Sequence, residues 1–263
     1  MRRVIARAPI LSFVVASCAI SWGIWAPLVM GSAGDSGGAA WACYFAGVIG
    51  PAAAAFGCAA LGSRVTVAEL LRRLTRWRVP FRWYVVAILL PFVLRGAATV
   101  LVTLSAPETW RIAFRPAEAV VRITLLMLVL VPFEEVGWRG HLLPLLQRRH
   151  GFLGSSVIVA GIWSLWHLPL AWASVGYQRS DAPWRYMAYF TVTIIPVSCL
   201  LTWLFHQTGG SVPLASAFHL AVNLADFILV MPAQRGERVL LTTAVISMLL
   251  IGIVWWRDTA KAR

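Results

Sequence analysis

Apolar residues run along this chain in blocks of about twenty, with no sustained alternation and few narrow helical stripes. Eight blocks are expected to cross a membrane, at roughly 8–30, 41–61, 83–104, 119–140, 152–175, 186–205, 212–231 and 239–256, each close to the length that spans the hydrocarbon. The first follows Met1-Arg2-Arg3 and is too long for the core of a signal peptide, so it reads as a retained span. Between the second and third blocks the pattern changes. Val67, Leu70, Leu71 and Leu74 fall at helical spacing among Arg64, Arg72, Arg73, Arg76, Arg78 and Arg82, which predicts an interfacial amphipathic helix touching membrane lipid. The expectation is one all-α integral membrane domain over 1–263, with about eight transmembrane helices in a single bundle. We find no internal repeat and no soluble domain.

Composition agrees with the pattern. Hydrophobic residues make up 60% of the chain and charged ones 13%, against about 25% charged in soluble domains. The net charge of +13 raises the question of nucleic acid, and the placement of the charge answers it. With the N-terminus inside, fourteen Lys and Arg fall on the inner side and six on the outer, the six accompanied by Asp35, Glu108, Glu118, Asp181 and Glu237. That bias fits a multi-pass protein of the cell membrane with both termini cytoplasmic, and no nucleic-acid partner is needed. Cys18, Cys43, Cys58 and Cys199 lie in apolar runs without a CxxC pair, so they read as small buried residues.

Polar residues inside the blocks are few and concentrated. Span four ends on Glu134-Glu135-Val136-Gly137-Trp138-Arg139. On a helix Glu135 and Arg139 share a face and can pair, whereas Glu134 points about 100° away. A carboxylate in hydrocarbon without a local partner is a functional-site candidate. Span five carries Trp163 and His167 four apart, and span seven carries His219 and Asn223 four apart with Asp226 returning to the same face. Arg95 lies deep in span three and needs a partner, for which Asp226 is one possibility. Any one of these residues is explained by helix–helix hydrogen bonding. Taken together they are the types suited to activating water and stabilising an oxyanion.

The three motifs in this order resemble the CPBP family of intramembrane endopeptidases, which includes CAAX prenyl proteases and bacteriocin-processing (Abi) proteins. Glu134-Glu-Val-Gly-Trp-Arg139 is similar to that family's Glu-Glu-x-x-x-Arg, and His219-Leu-Ala-Val-Asn223 to its His-x-x-x-Asn. Trp163-Ser-Leu-Trp-His167 is similar to its Phe-x-x-x-His, with Trp in place of Phe. The resemblance covers roughly 119–231, the expected catalytic core. It implies peptide-bond hydrolysis in a polar cavity open to the cytoplasmic side. Glu134 and His167 would hold and activate water, and His219 and Asn223 would stabilise the oxyanion. Glu135, Arg139 and Trp163 would be supporting residues. A separate expectation, outside the family pattern, has Asp226 setting the His219 tautomer.

Whether zinc takes part is open at this stage, because the ligands it would use (Glu134, His167, His219) are also the metal-free set. The lack of His-Glu-x-x-His and the presence of Asn223 favour the metal-free reading. The expected partners are a peptide or lipidated-protein substrate and membrane lipids. Two rival functions are a catalytically idle adaptor or bacteriocin-immunity protein, and a small proton-coupled transporter. The absence of inverted repeats speaks against the transporter.

Overall fold

A computed structural model of the chain describes residues 2–32, 37–105, 113–176, 181–231 and 233–261. The loop charges Asp35, Glu108, Arg111 and Arg179 lie outside these residues. Helix α1 (Arg2–Arg7) leads into α2 (Pro9–Val29). The second expected span is two helices, α3 (Gly38–Gly47) and α4 (Gly50–Ala60). Pro51 stands in the first turn of α4, where its missing N–H leaves no gap in the helical ladder.

The basic segment folds as predicted into α5 (Val67–Leu74). A reciprocal cap starts it: the Glu69 amide donates to Thr66 Oγ1 at 3.2 Å and the Thr66 amide to Glu69 Oε2 at 2.9 Å. That backbone bond holds the Glu69 carboxyl below its ordinary range. Not all the arginines of this segment face lipid. Arg73 donates to the Gly140 carbonyl, and Arg76 donates through Nε to the Thr208 carbonyl at 3.0 Å. With Leu70 buried beneath, α5 is fastened to the bundle.

The remaining spans are α6 (Phe81–Ser105), α7 (Ala117–Glu135), α9 (Phe152–His167) with a 3₁₀ turn (Leu168–Trp172), α10 (Pro183–Gln207), α11 (Val212–Ile228) and α12 (Ala233–Lys261). Between α7 and the short α8 (Leu143–Leu146), Val136–Leu142 is a π-helix. Strands β1 (Ala113–Phe114) and β2 (Leu229–Val230) form a two-residue antiparallel ladder, Ala113 opposite Val230.

Six helical segments among the described residues are long and apolar enough to cross a bilayer, where eight were expected. The two that fall short are informative. Helix α7 carries Glu118, Arg122, Glu134 and Glu135, and α11 has only 17 residues. These same two helices bear most of the polar residues singled out in the sequence.

Packing runs in a closed ring: α2 on α4, α4 on α7, α7 on α11, α11 on α6, α6 on α12, α12 on α10, α10 on α9, and α9 back on α2. Small residues permit the tightest approach. A Cβ on Gly137 would stand 2.9 Å from the Pro51 carbonyl oxygen and 2.5 Å from its Cβ. Backbone on backbone cannot yield there, so Gly137→Ala is expected to destabilise the protein by about 1–3 kcal/mol. Thermal unfolding in detergent measures this, and a melting temperature equal to wild type would refute it.

Candidate functional site

Glu134 and Glu135 are the last residues of α7, where the α-helical ladder widens into the π-helix. A π turn is rare and is frequently found at functional positions. Both carboxylates are buried, at 8% and 0% exposure, so each needs partners.

Glu135 has two. Arg139, on the π turn, donates through Nη1 to Glu135 Oε1 at 2.9 Å, and His219 Nδ1 lies 2.9 Å from the same oxygen. The expected Glu135–Arg139 pair is therefore present, and it extends across to α11. Because Glu135 accepts, Nδ1 of His219 carries the hydrogen and Nε2 is left for other chemistry. The expectation that Asp226 sets this tautomer does not hold. Asp226 is two turns further along α11 and pairs with Arg95 at 3.2 Å, so the deep arginine of span three has the partner that was considered for it.

Glu134 also has a partner, and it comes from a different helix. Trp163 Nε1 donates to Glu134 Oε2 at 2.8 Å. This is why Trp at the motif position differs from Phe: it keeps the aromatic face and adds an N–H. The same ring lies under the Arg139 guanidinium at 4.7 Å and edge-on to His219 at 4.9 Å. Its backbone carbonyl accepts from His167 Nδ1 at 2.9 Å. His167 Nε2 then has its lone pair free. Read from sequence as a supporting residue, Trp163 is in contact with Glu134, Arg139, His167 and His219.

Glu134, Trp163, His167, His219 and Asn223 all line one cavity of about 560 Å³. Asn223 is half-buried, with its amide nitrogen 3.9 Å from Met127 Sδ. Opposite them, α10 contributes Tyr186, Tyr189 and Phe190; Phe190 meets the His167 ring edge-on at 4.9 Å. This aromatic wall was missed in the sequence, although its i, i+3, i+4 spacing was a visible signal.

The lining residues that are exposed, Arg115, Ala182, Arg185 and Asp226, place the mouth at the end of the bundle holding the β1–β2 ladder. Helix α5 and the two termini are at the other end.

The metal question can be put to the geometry. Among the described residues no three His, Cys, Asp or Glu side chains converge closely enough to hold an ion. Glu134, His167 and His219 as they stand do not form a zinc set.

Residues 116–225 match the family model described as type II CAAX prenyl endopeptidase, Rce1-like. Among curated proteins, a CAAX prenyl protease 2 of Methanococcus maripaludis is 30% identical over 137 residues, which take in 51% of this chain and 49% of that protein. The chain spans about half the length of the curated relative it matches.

Proposed function

Through its 116–225 core the chain belongs to the CPBP family, and on that premise we propose that it is an intramembrane endopeptidase using a glutamate-activated water. The observation that carries the reading is the convergence of Glu134, His167, His219 and Asn223 from three helices onto one cavity wall. Water held between Glu134 and His167 Nε2 attacks the scissile carbonyl carbon while Glu134 takes its proton. The carbonyl oxygen becomes an oxyanion, which accepts from the Asn223 amide. His219 also donates to it when its Nε2 is protonated, as an imidazolium that the Glu135 carboxylate stabilises. As the tetrahedral intermediate collapses, the C–N bond breaks and Glu134 returns its proton to the leaving amine. The substrate class is a lipidated or otherwise membrane-associated peptide, in keeping with the relative's name. Residues 119–231 are the catalytic core of a single-domain chain in this reading.

The test is cleavage of a peptide library by the purified, detergent-solubilised protein, with and without a zinc chelator. Activity that is insensitive to chelation supports the metal-free route. Activity abolished by chelation and restored by zinc would overturn that route. A folded protein that cleaves nothing in the library would turn the reading toward an idle adaptor. The indole contribution is tested separately. Trp163→Phe keeps the ring against Arg139 and His219 but removes a hydrogen bond to an acidic group. It is expected to lower kcat/KM by about tenfold with little change in melting temperature; unchanged kinetics would show that the N–H is dispensable.

A further inference from the structure

Arg95 is the buried cation of the cavity that this hydrolysis leaves unused. It is 7% exposed, yet it lines the same space as Glu134. Asp226 Oδ1 is within ion-pair reach of its Nη1, but neither Nε nor Nη1 makes an aligned hydrogen bond. The other two arginines of the cavity are committed elsewhere. Arg185 pairs with Glu237 at 2.7 Å, and Arg115 donates through Nε to the Phe227 carbonyl at 3.0 Å while lying over the Phe227 ring. Buried donors without acceptors are destabilising unless something else fills them. The groups a peptide brings into such a cavity that best match a guanidinium are carboxylates.

We propose that Arg95 binds a carboxylate of the substrate within the cavity and so sets specificity, an inference that rests on the peptidase function given above. Asp226, with its side chain 44% exposed at the mouth, fixes the guanidinium from the solvent side. It also competes with the incoming anion. Two sources supply this chemistry, the terminal carboxylate of a peptide and an Asp or Glu side chain within it.

The experiment uses the full chain in detergent and one apolar peptide in three forms: free C-terminal acid, C-terminal amide, and amide with one internal Glu. Affinity is measured by fluorescence anisotropy on Glu134→Gln protein, so that binding is read apart from cleavage. At least one carboxylate-bearing form is expected to bind about tenfold or more tightly than the plain amide, and the favoured form identifies the source. Arg95→Gln combined with Asp226→Asn removes both charges together and is expected to bring the preference near one. If that double variant does not fold, Asp226→Asn alone decides, because loss of the competing anion is expected to raise the preference about threefold or more.

Equal binding of the three forms, no binding of any, a preference that survives in the folded double variant, or a preference unmoved or lowered by Asp226→Asn overturns the inference. Cleavage of all forms without preference removes the carboxylate site and leaves the peptidase. Selective binding with no cleavage by wild type removes the peptidase and leaves the site.

Discussion

Glu134→Gln is expected to lower kcat/KM for peptide hydrolysis by about 10²- to 10⁴-fold, the range by which a positioned general base accelerates proton transfer. Glutamine has nearly the same shape, and its carbonyl oxygen still accepts from Trp163 Nε1, so the α7–α9 contact at 2.8 Å is kept. Only the ability to take a proton from water is lost. The variant should therefore elute as a single species and unfold within a few degrees of wild type, and the deficit should lie in kcat. Substantial turnover by a folded Glu134→Gln protein would assign the base to another group and end the mechanism given above.

The second large effect is on stability. Arg139 and Glu135 are both fully buried, joined at 2.9 Å, and His219 shares the same carboxylate oxygen. Arg139→Met leaves the carboxylate in a dry site without its compensating cation. Breaking a buried pair from one side destabilises by about 3–5 kcal/mol. Removing both charges, as Glu135→Gln with Arg139→Met, is expected to recover much of that loss, because no bare ion remains. Thermal unfolding of the single and double variants in one detergent measures the difference. A double variant no more stable than Arg139→Met would mean that the pair's charge is not what the bundle depends on. The kinetic consequence differs from the thermal one: the double variant should remain impaired in kcat, since His219 has lost the carboxylate that stabilises its imidazolium.

Much of this was legible in the sequence, for a physical reason. Hydrocarbon excludes charge so strongly that Glu134, Glu135, Arg139, His167, His219 and Asn223 stand out against their surroundings. The helical period alone placed Glu135 with Arg139, and Asp226 was one possibility for Arg95. Three features were not legible. The π turn at Val136–Leu142 has no composition of its own that sets it apart from an α-helical continuation of span four. The Trp163–Glu134 bond and the Glu135–His219 bond join residues 29 and 84 positions apart, a distance no local pattern encodes. The position of the mouth depends on which ends of the spans splay apart, and loop charges alone do not fix that. The hydrogen bond that Trp163 adds to its aromatic face joins it to Glu134, which its place in the span-five motif does not show.

The shortfall of α7 and α11 as independent spans bears on how the protein is made. Helix α7 leaves the ribosome carrying four ionisable residues, and the translocon disfavours such segments when they are presented alone. Its Arg139 follows within a turn, but Trp163 is synthesised later and His219 later still. Until α11 arrives, Glu135 lacks its imidazole, and α11 itself is at the short end of what spans a bilayer. Lodging of α7 in lipid is thus a property of the growing assembly and not of the segment. A ribosome stalled before α11 would leave a chain whose most polar helix is only half provided for, the kind of intermediate that membrane quality control degrades.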